Sequence, residues 1–238
     1  MPNPLRPYSA RLRKLARRPE PHFTDGAIET WEEAPASTLV FRPSVSLPGQ
    51  VGRIRASVFA TLPETIEALT RDGEAWEGPT MGWRFRNVDL VDGVLYRPGA
   101  ELHLRSRRNR LGLAFQPRET VSAALYETWT TNRWFGSWLM DGLVTWPLAQ
   151  ATGMAMTTAP APAPNSHAAR YEALLGVTPG RIAGDVHFDE LVLFGDLSNN
   201  ADKWRRQREL RDRLLADAKA KALELAENYV PPEPATLR

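Results

Sequence analysis

Cysteine is absent from the chain, and histidine occurs only four times. The first absence excludes a disulfide scaffold, a thiolate metal site and a cysteine nucleophile together. The second leaves His22, His103, His167 and His187 in distant segments, with no H-x-x-x-H spacing, so no metal site is expected. An excess of one charge sign is also missing: 30 Lys and Arg stand against 28 Asp and Glu. A surplus that small does not suit a protein that neutralises phosphates, so no nucleic-acid partner is expected. No apolar run approaches the roughly 20 residues needed to span a bilayer; the most apolar stretch, Trp134 to Met156, is broken by Asp141 and Pro147. The opening MPNPLRPYSARLRKLARR lacks an apolar core segment and is not expected to be a secretory signal. P-loop, G-x-G-x-x-G turn and G-x-S-x-G elbow are all missing. Ser137, His187 and Asp141 make a hydrolase triad on paper, but their order and spacing carry no signal for one.

What is there is a chain of 238 residues, 42% of them hydrophobic, enough to bury a sizeable core. A soluble, cytoplasmic globular protein is expected. Residues 1–30 read as a basic N-terminal tail, with Arg6, Arg11, Arg13, Lys14, Arg17 and Arg18 and no acid among the first 18 residues. Two readings of that tail stand side by side: a poorly ordered segment, or a short amphipathic helix drawn to an anionic membrane surface at the inner face. Residues 31–117 read as a β-rich module of strands and turns. Its clearest signal is Asp92-Gly93, a hairpin turn whose neighbours Leu90, Val94 and Tyr96 are expected to share the buried face.

After Pro117 the pattern changes. TVSAALYETW reads as a strand, residues 133–150 as a helix capped by Asn132, GMAMTT as a short strand, and Pro160, Pro162 and Pro164 as an extended loop. A helix over Ser166 to Leu175 exits at Gly176, FDELVLF is a buried strand, and Asn200 to Glu227 is a long helix with a leucine and alanine stripe. Alternating strands and helices over 118–228 predict an α/β domain with a parallel sheet and covering helices. Residues 229–238 read as a proline-rich linker.

One segment concentrates chemistry-bearing residues: TNRWFGSWLMDGLVTWP, Thr131 to Pro147. On a helix, Ser137 and Asp141 fall four apart on one face, flanked by Trp134 and Trp138, while Phe135, Leu139, Leu143 and Trp146 form a core-facing stripe. Indole faces stack on sugar C–H faces, and a carboxylate accepts hydroxyl hydrogen bonds. The alternative is that these tryptophans are core and Asp141 is a solvated carboxylate. Arg133, near the helix start, could assist an anion or remain a solvated charge.

The run Trp134-Phe135-Gly136-Ser137-Trp138-Leu139-Met140-Asp141 resembles the [FY]-[FG]-H-W-L-x-[DE] signature of glycosyltransferase family 61, the bacterial capsular-polysaccharide type. VDGVLY (Val91 to Tyr96), HAARYEALLGV (His167 to Val177) and FDELVLFGDLSNNADKWRRQRELRDRLL (Phe188 to Leu215) resemble that family's flanking elements, in the same order. The resemblance implies the N-terminal lobe of a GT-B fold, here Rossmann-like and preceded by an antiparallel hairpin module. It implies inverting, metal-independent transfer from a nucleotide-sugar to a saccharide or glycolipid acceptor. Asp141 would be the catalytic base, with Asn132, Trp134, Ser137 and Trp138 binding the acceptor. No cofactor is implied, and the nucleotide-sugar is expected to be gripped by the family's second domain, expected to be missing here, which leaves this half inactive alone. Ser137 stands where the family has histidine; serine can donate and accept a hydrogen bond but is no base near neutral pH. A non-catalytic carbohydrate-binding or assembly protein derived from such an enzyme is the alternative.

Overall fold

Strands buried on both faces need apolar residues at successive positions, and two segments supply them: Ala123-Ala124-Leu125 and Leu191-Val192-Leu193. They form the centre of the sheet in the computed structural model, which describes residues 2–3, 5–17, 19, 21–58, 60–106 and 118–227, with side chains as far as residue 222. The expected linker 229–238 lies outside the described residues.

The chain begins with helix α1 (Arg6–Leu15), followed by strands β1 (Glu29–Ala34) and β2 (Ser37–Phe41), helix α2 (Leu62–Thr70), and strands β3 (Gly73–Glu77), β4 (Thr80–Val91), β5 (Val94–Arg97) and β6 (Ala100–His103). The second half runs β7 (Thr120–Leu125), α3 (Phe135–Ser137), a π turn (Trp138–Gly142), α4 (Leu143–Ala151), β8 (Ala155–Thr157), α5 (His167–Leu175), β9 (Gly180–Arg181), β10 (Val186–Gly195) and α6 (Ala201–Glu227). Eight strands form one mixed sheet in the order β6-β5-β4-β10-β7-β8-β9, with β1 also paired to β4; β2 and β3 make a separate hairpin. The protein is therefore α/β, with an antiparallel half and a parallel half.

Those halves are not separate modules. β10 pairs antiparallel with β4 along nearly its whole length, from Val186↔Leu90 to Gly195↔Met81, and parallel with β7 on its other edge. The boundary expected at residues 117 and 118 thus falls between strands of one sheet. Alternation along the strands feeds two cores. Ala123, Leu125, Leu191 and Leu193 join Phe85, Val88 and Phe188 on one face. Ala124, Tyr126 and Val192 join Leu143, Val144 and Trp146 of α4, Leu175 of α5 and Leu210 of α6 on the other.

The Asp92-Gly93 turn forms as expected, with φ of 48° and 77°, both in the left-handed region that a type I′ hairpin demands. Its two-residue length pairs Val91 with Val94, and so Leu90 with Leu95. Leu90 therefore faces one core, whereas Val94 and Tyr96 face the other with Ala10 of α1. The shared face expected for the three is corrected by this register.

Residues 6–15 of the expected tail are a docked helix. Arg6 is buried, and its guanidinium pairs at 3.0 Å with Asp89, whose other oxygen contacts His187 Nδ1 at 2.6 Å. The reading of 31–117 as strands and turns missed α2, although Thr61 and Glu64 spell a capping box: the Thr61 hydroxyl accepts from the Glu64 amide and the Glu64 carboxylate accepts from the Thr61 amide.

Candidate functional site

In a parallel sheet the groups just beyond the strand carboxyl ends face a common crevice, so the residues that follow β7, β8 and β9 are the first to inspect. There they enclose a cavity of about 240 Å³. Tyr126 and Glu127 leave β7, Thr157 ends β8, and Arg181 ends β9. Pro160 and Pro162 form one wall and the α3 segment another, with Asn132, Trp134, Phe135 and Trp138.

The polar side of this cavity is fastened by hydrogen bonds. Glu127 is buried; its Oε2 accepts from the Thr157 hydroxyl at 2.8 Å and its Oε1 from the Thr158 amide at 2.7 Å, tying the ends of β7 and β8 together. Arg181 Nη2 donates to both oxygens of Glu172 on α5, at 2.7 and 2.8 Å. Its Nη1 donates to the carbonyls of Ala159 and Pro160, which holds the proline loop over the site. Burial, and then the charges of Glu127 and Glu172, push the Tyr126 phenol well above the ordinary tyrosine value, so it stays protonated. Its ring meets Trp146 edge-on, with centroids 5.0 Å apart.

The opposite side is aromatic. Phe135, half-exposed, lies 5.6 Å from Trp138 and 5.7 Å from Tyr171 of α5, centroid to centroid. The Arg133 guanidinium is sandwiched between the Trp129 ring at 4.7 Å and the Trp134 ring at 5.1 Å. Phe135 is thus not part of a core-facing stripe. The reason is the π turn, in which the Leu143 amide donates to the Trp138 carbonyl five residues back, shifting the helix phase. From its last residue onward, Gly142 to Trp146 are buried consecutively.

Of the five expected site residues, the structure brings Asn132, Trp134 and Trp138 to the cavity. Asn132 is not a helix cap: Trp134 holds that position, and the Asn132 side-chain Nδ2 donates to the Leu104 carbonyl at 3.0 Å. Ser137 and Asp141 do not line the cavity. Asp141 faces α6, where its Oδ1 accepts from Lys203 Nζ at 2.7 Å, and that ammonium is fully buried.

Lys203 belongs to a polar cluster just past the carboxyl end of β10, between the start of β4, α4 and α6. Asp196, just past β10, accepts from Thr80 (2.8 Å), Thr145 (2.7 Å) and both terminal nitrogens of Arg206 (2.7 and 2.8 Å). Lys203 Nζ donates to the Asp196 carbonyl at 2.6 Å. Burial alone would lower the Arg206 pKa; the carboxylates of Asp196 and Asp202 more than offset it and raise it. Asp196 is thus saturated by the protein's own side chains, whereas the residues after β7, β8 and β9 leave a cavity between them.

Glu127, Glu172, Arg181 and Tyr126 were missed by sequence reasoning. Glu127 carried a usable signal, as a carboxylate two residues past an apolar strand in a parallel αβ pattern; Glu172 and Arg181 read as ordinary surface charges. Among the described residues, no three His, Cys, Asp or Glu side chains gather into a group able to hold a metal. No described helix is long and apolar enough to cross a membrane. Compared with known protein families, curated proteins and solved structures, the chain matches none. Fold and site together define a mixed-sheet α/β protein with a small aromatic and carboxylate-lined cavity at its parallel strand ends.

Proposed function

We propose that the chain is the acceptor-side lobe of a sugar transferase of the glycosyltransferase family 61 type, and that the cavity at the ends of β7, β8 and β9 takes a saccharide acceptor. The observation that carries this reading is one juxtaposition: Trp134, Phe135 and Trp138 line the same one-ring-sized cavity as Glu127, Glu172 and Arg181. Indole and phenyl faces suit the C–H face of a pyranose, while carboxylates and a guanidinium suit its hydroxyls. Below the roughly 300 Å³ of drug-sized pockets, the cavity suits a single sugar ring.

On this reading the sheet corresponds to the N-terminal lobe of a GT-B arrangement, and a facing lobe presents the nucleotide-sugar. An acceptor hydroxyl would lose its proton to a carboxylate and attack the anomeric carbon. The glycosyl–phosphate bond would break on the opposite face, and the nucleoside phosphate would leave with the bonding pair, inverting the centre. Asp141 reaches an acceptor only if it releases Lys203, so its first role in this reading is to hold the π turn that presents Trp138. Glu127 and Glu172 are the carboxylates that line the cavity.

The test is saturation-transfer NMR of the full chain with hexoses, N-acetylhexosamines and uronic acids as probes. At least one class is expected to receive saturation on its ring protons, with binding about five- to tenfold weaker in Trp134→Ala. Absence of transfer to every probe, or unchanged transfer in that variant, would overturn the reading. The second reading, a saccharide-binding protein without transferase activity, is favoured by Ser137 at the histidine position and by the Asp141–Lys203 pair. Joined to a family 61 C-terminal lobe, a Ser137→His chain that transfers sugar identifies an enzyme; one that binds without transfer identifies the scaffold.

A further inference from the structure

A surface helix ordinarily turns its apolar stripe inward, and α1 does the reverse. Leu12 and Leu15 are 65% and 72% exposed, and Leu5 at the helix cap is 64% exposed. Spaced seven and three apart, they fall on one face. The inward face carries Arg6, Pro7 and Ala10, and polar anchors fasten it: Arg6 to Asp89, Arg13 to the Gly99 carbonyl, and Lys14 to Glu101. Arg11 on the helix and Arg17 at its exit are exposed near the leucines, and residues 1–19 contain no acid.

We propose that this face docks on a bilayer bearing anionic headgroups. The leucines enter the boundary of the acyl region while Arg11 and Arg17 meet the headgroups. Charge selects this occupant. In a two-fold pair of chains each copy would set its arginines against those of the other, an arrangement an anionic surface avoids. The anchors explain how the helix presents leucine to solvent and still stays folded, since its attachment to β4, β5 and β6 needs none of them. The inference stands apart from the saccharide reading and does not depend on it.

The test is co-sedimentation of the full chain with vesicles of phosphatidylcholine alone or mixed with phosphatidylglycerol. The chain is expected to pellet with the mixed vesicles and not with the neutral ones. Leu12→Ser/Leu15→Ser is expected to abolish pelleting, and Arg11→Glu/Arg17→Glu to weaken it at least fivefold per position. All four residues are exposed, so helix content by circular dichroism and the thermal midpoint should match the parent in both variants, which separates lost docking from lost folding. Parent chain left in the supernatant with mixed vesicles, or pelleting that survives the leucine changes, overturns the proposal. So does a dimer in sedimentation equilibrium that dissociates in Leu12→Ser/Leu15→Ser, because a second copy would then own the face.

Discussion

Asp196 accepts four side-chain hydrogen bonds, two of them from Arg206, and both residues are buried. Removing two charges from water costs several kcal/mol each, and such a pair is stable only where the remaining lone pairs and protons are also satisfied. Here Thr80 and Thr145 complete the carboxylate, while the Val144 carbonyl and Asp202 complete the guanidinium. Asp196→Ala is therefore expected to cost about 3–5 kcal/mol in urea unfolding, because Arg206 is left buried beside Asp202 alone. The double variant Asp196→Leu/Arg206→Met should lose much less. A single-variant loss below about 1 kcal/mol would show that Asp202 suffices as partner. Asp141 teaches the complementary point. Spacing placed it one turn from Ser137, but nothing in that segment announces that Lys203, one more cation on a charged helix, is fully buried and takes its carboxylate.

At the scale of elements, α6 begins with a charge pattern whose purpose is visible only in the fold. Its first ten residues bury Lys203, Arg206 and Leu210, so the inward seam is mostly ionic, whereas the expected stripe beyond Leu214 faces solvent at Leu215, Ala218 and Ala222. Asp202, in the first turn, supports Arg205 and Arg206. Partial burial by itself would raise the Asp202 carboxyl; the hydrogen bonds from the two arginines overcome that and leave it below the ordinary 3.8. A lowered folded-state value stabilises above the unfolded pKa, and the contribution is lost as pH falls through the folded value. Asp202→Asn should thus cost a constant amount, about 0.5 kcal/mol after solvent screening, from neutral pH to about pH 5. The difference should shrink below about pH 4 and vanish in stronger acid. A difference that grows on acidification would contradict the sign. The π turn belongs to this scale too, as an added residue in one turn that periodicity of 3.6 does not reveal.

At the scale of the whole molecule, the long β4–β10 ladder decides how the chain behaves. A β-rich unit over 31–117 and an α/β unit over 118–228, if separate, would unfold in two steps. Strands of one sheet, with one core built from residues of both halves, are expected to unfold together. Urea transitions followed by tryptophan fluorescence and by far-ultraviolet circular dichroism should coincide; two resolved transitions would restore the division. The same ladder sets where the candidate cavity lies. β10 lies between β4 and β7; the Asp196 cluster sits past its end, and the cavity lies past the ends of the parallel strands β7, β8 and β9.

Local chemistry determined much from sequence alone. Asp92-Gly93 made a hairpin because only such residues accept two positive φ values in succession. Ser166 and Gly176 bounded α5 because a hydroxyl caps an orphan amide and glycine takes the left-handed exit, at φ 62°. The run FDELVLF marked β10 as a buried strand, and a dense aromatic segment supplied a wall of the cavity. The tertiary structure alone decided which of those aromatics face the cavity, which carboxylates join them, and where Asp141 points. Each of these depends on a partner far along the chain, and neither periodicity nor spacing records which distant group will be buried beside which.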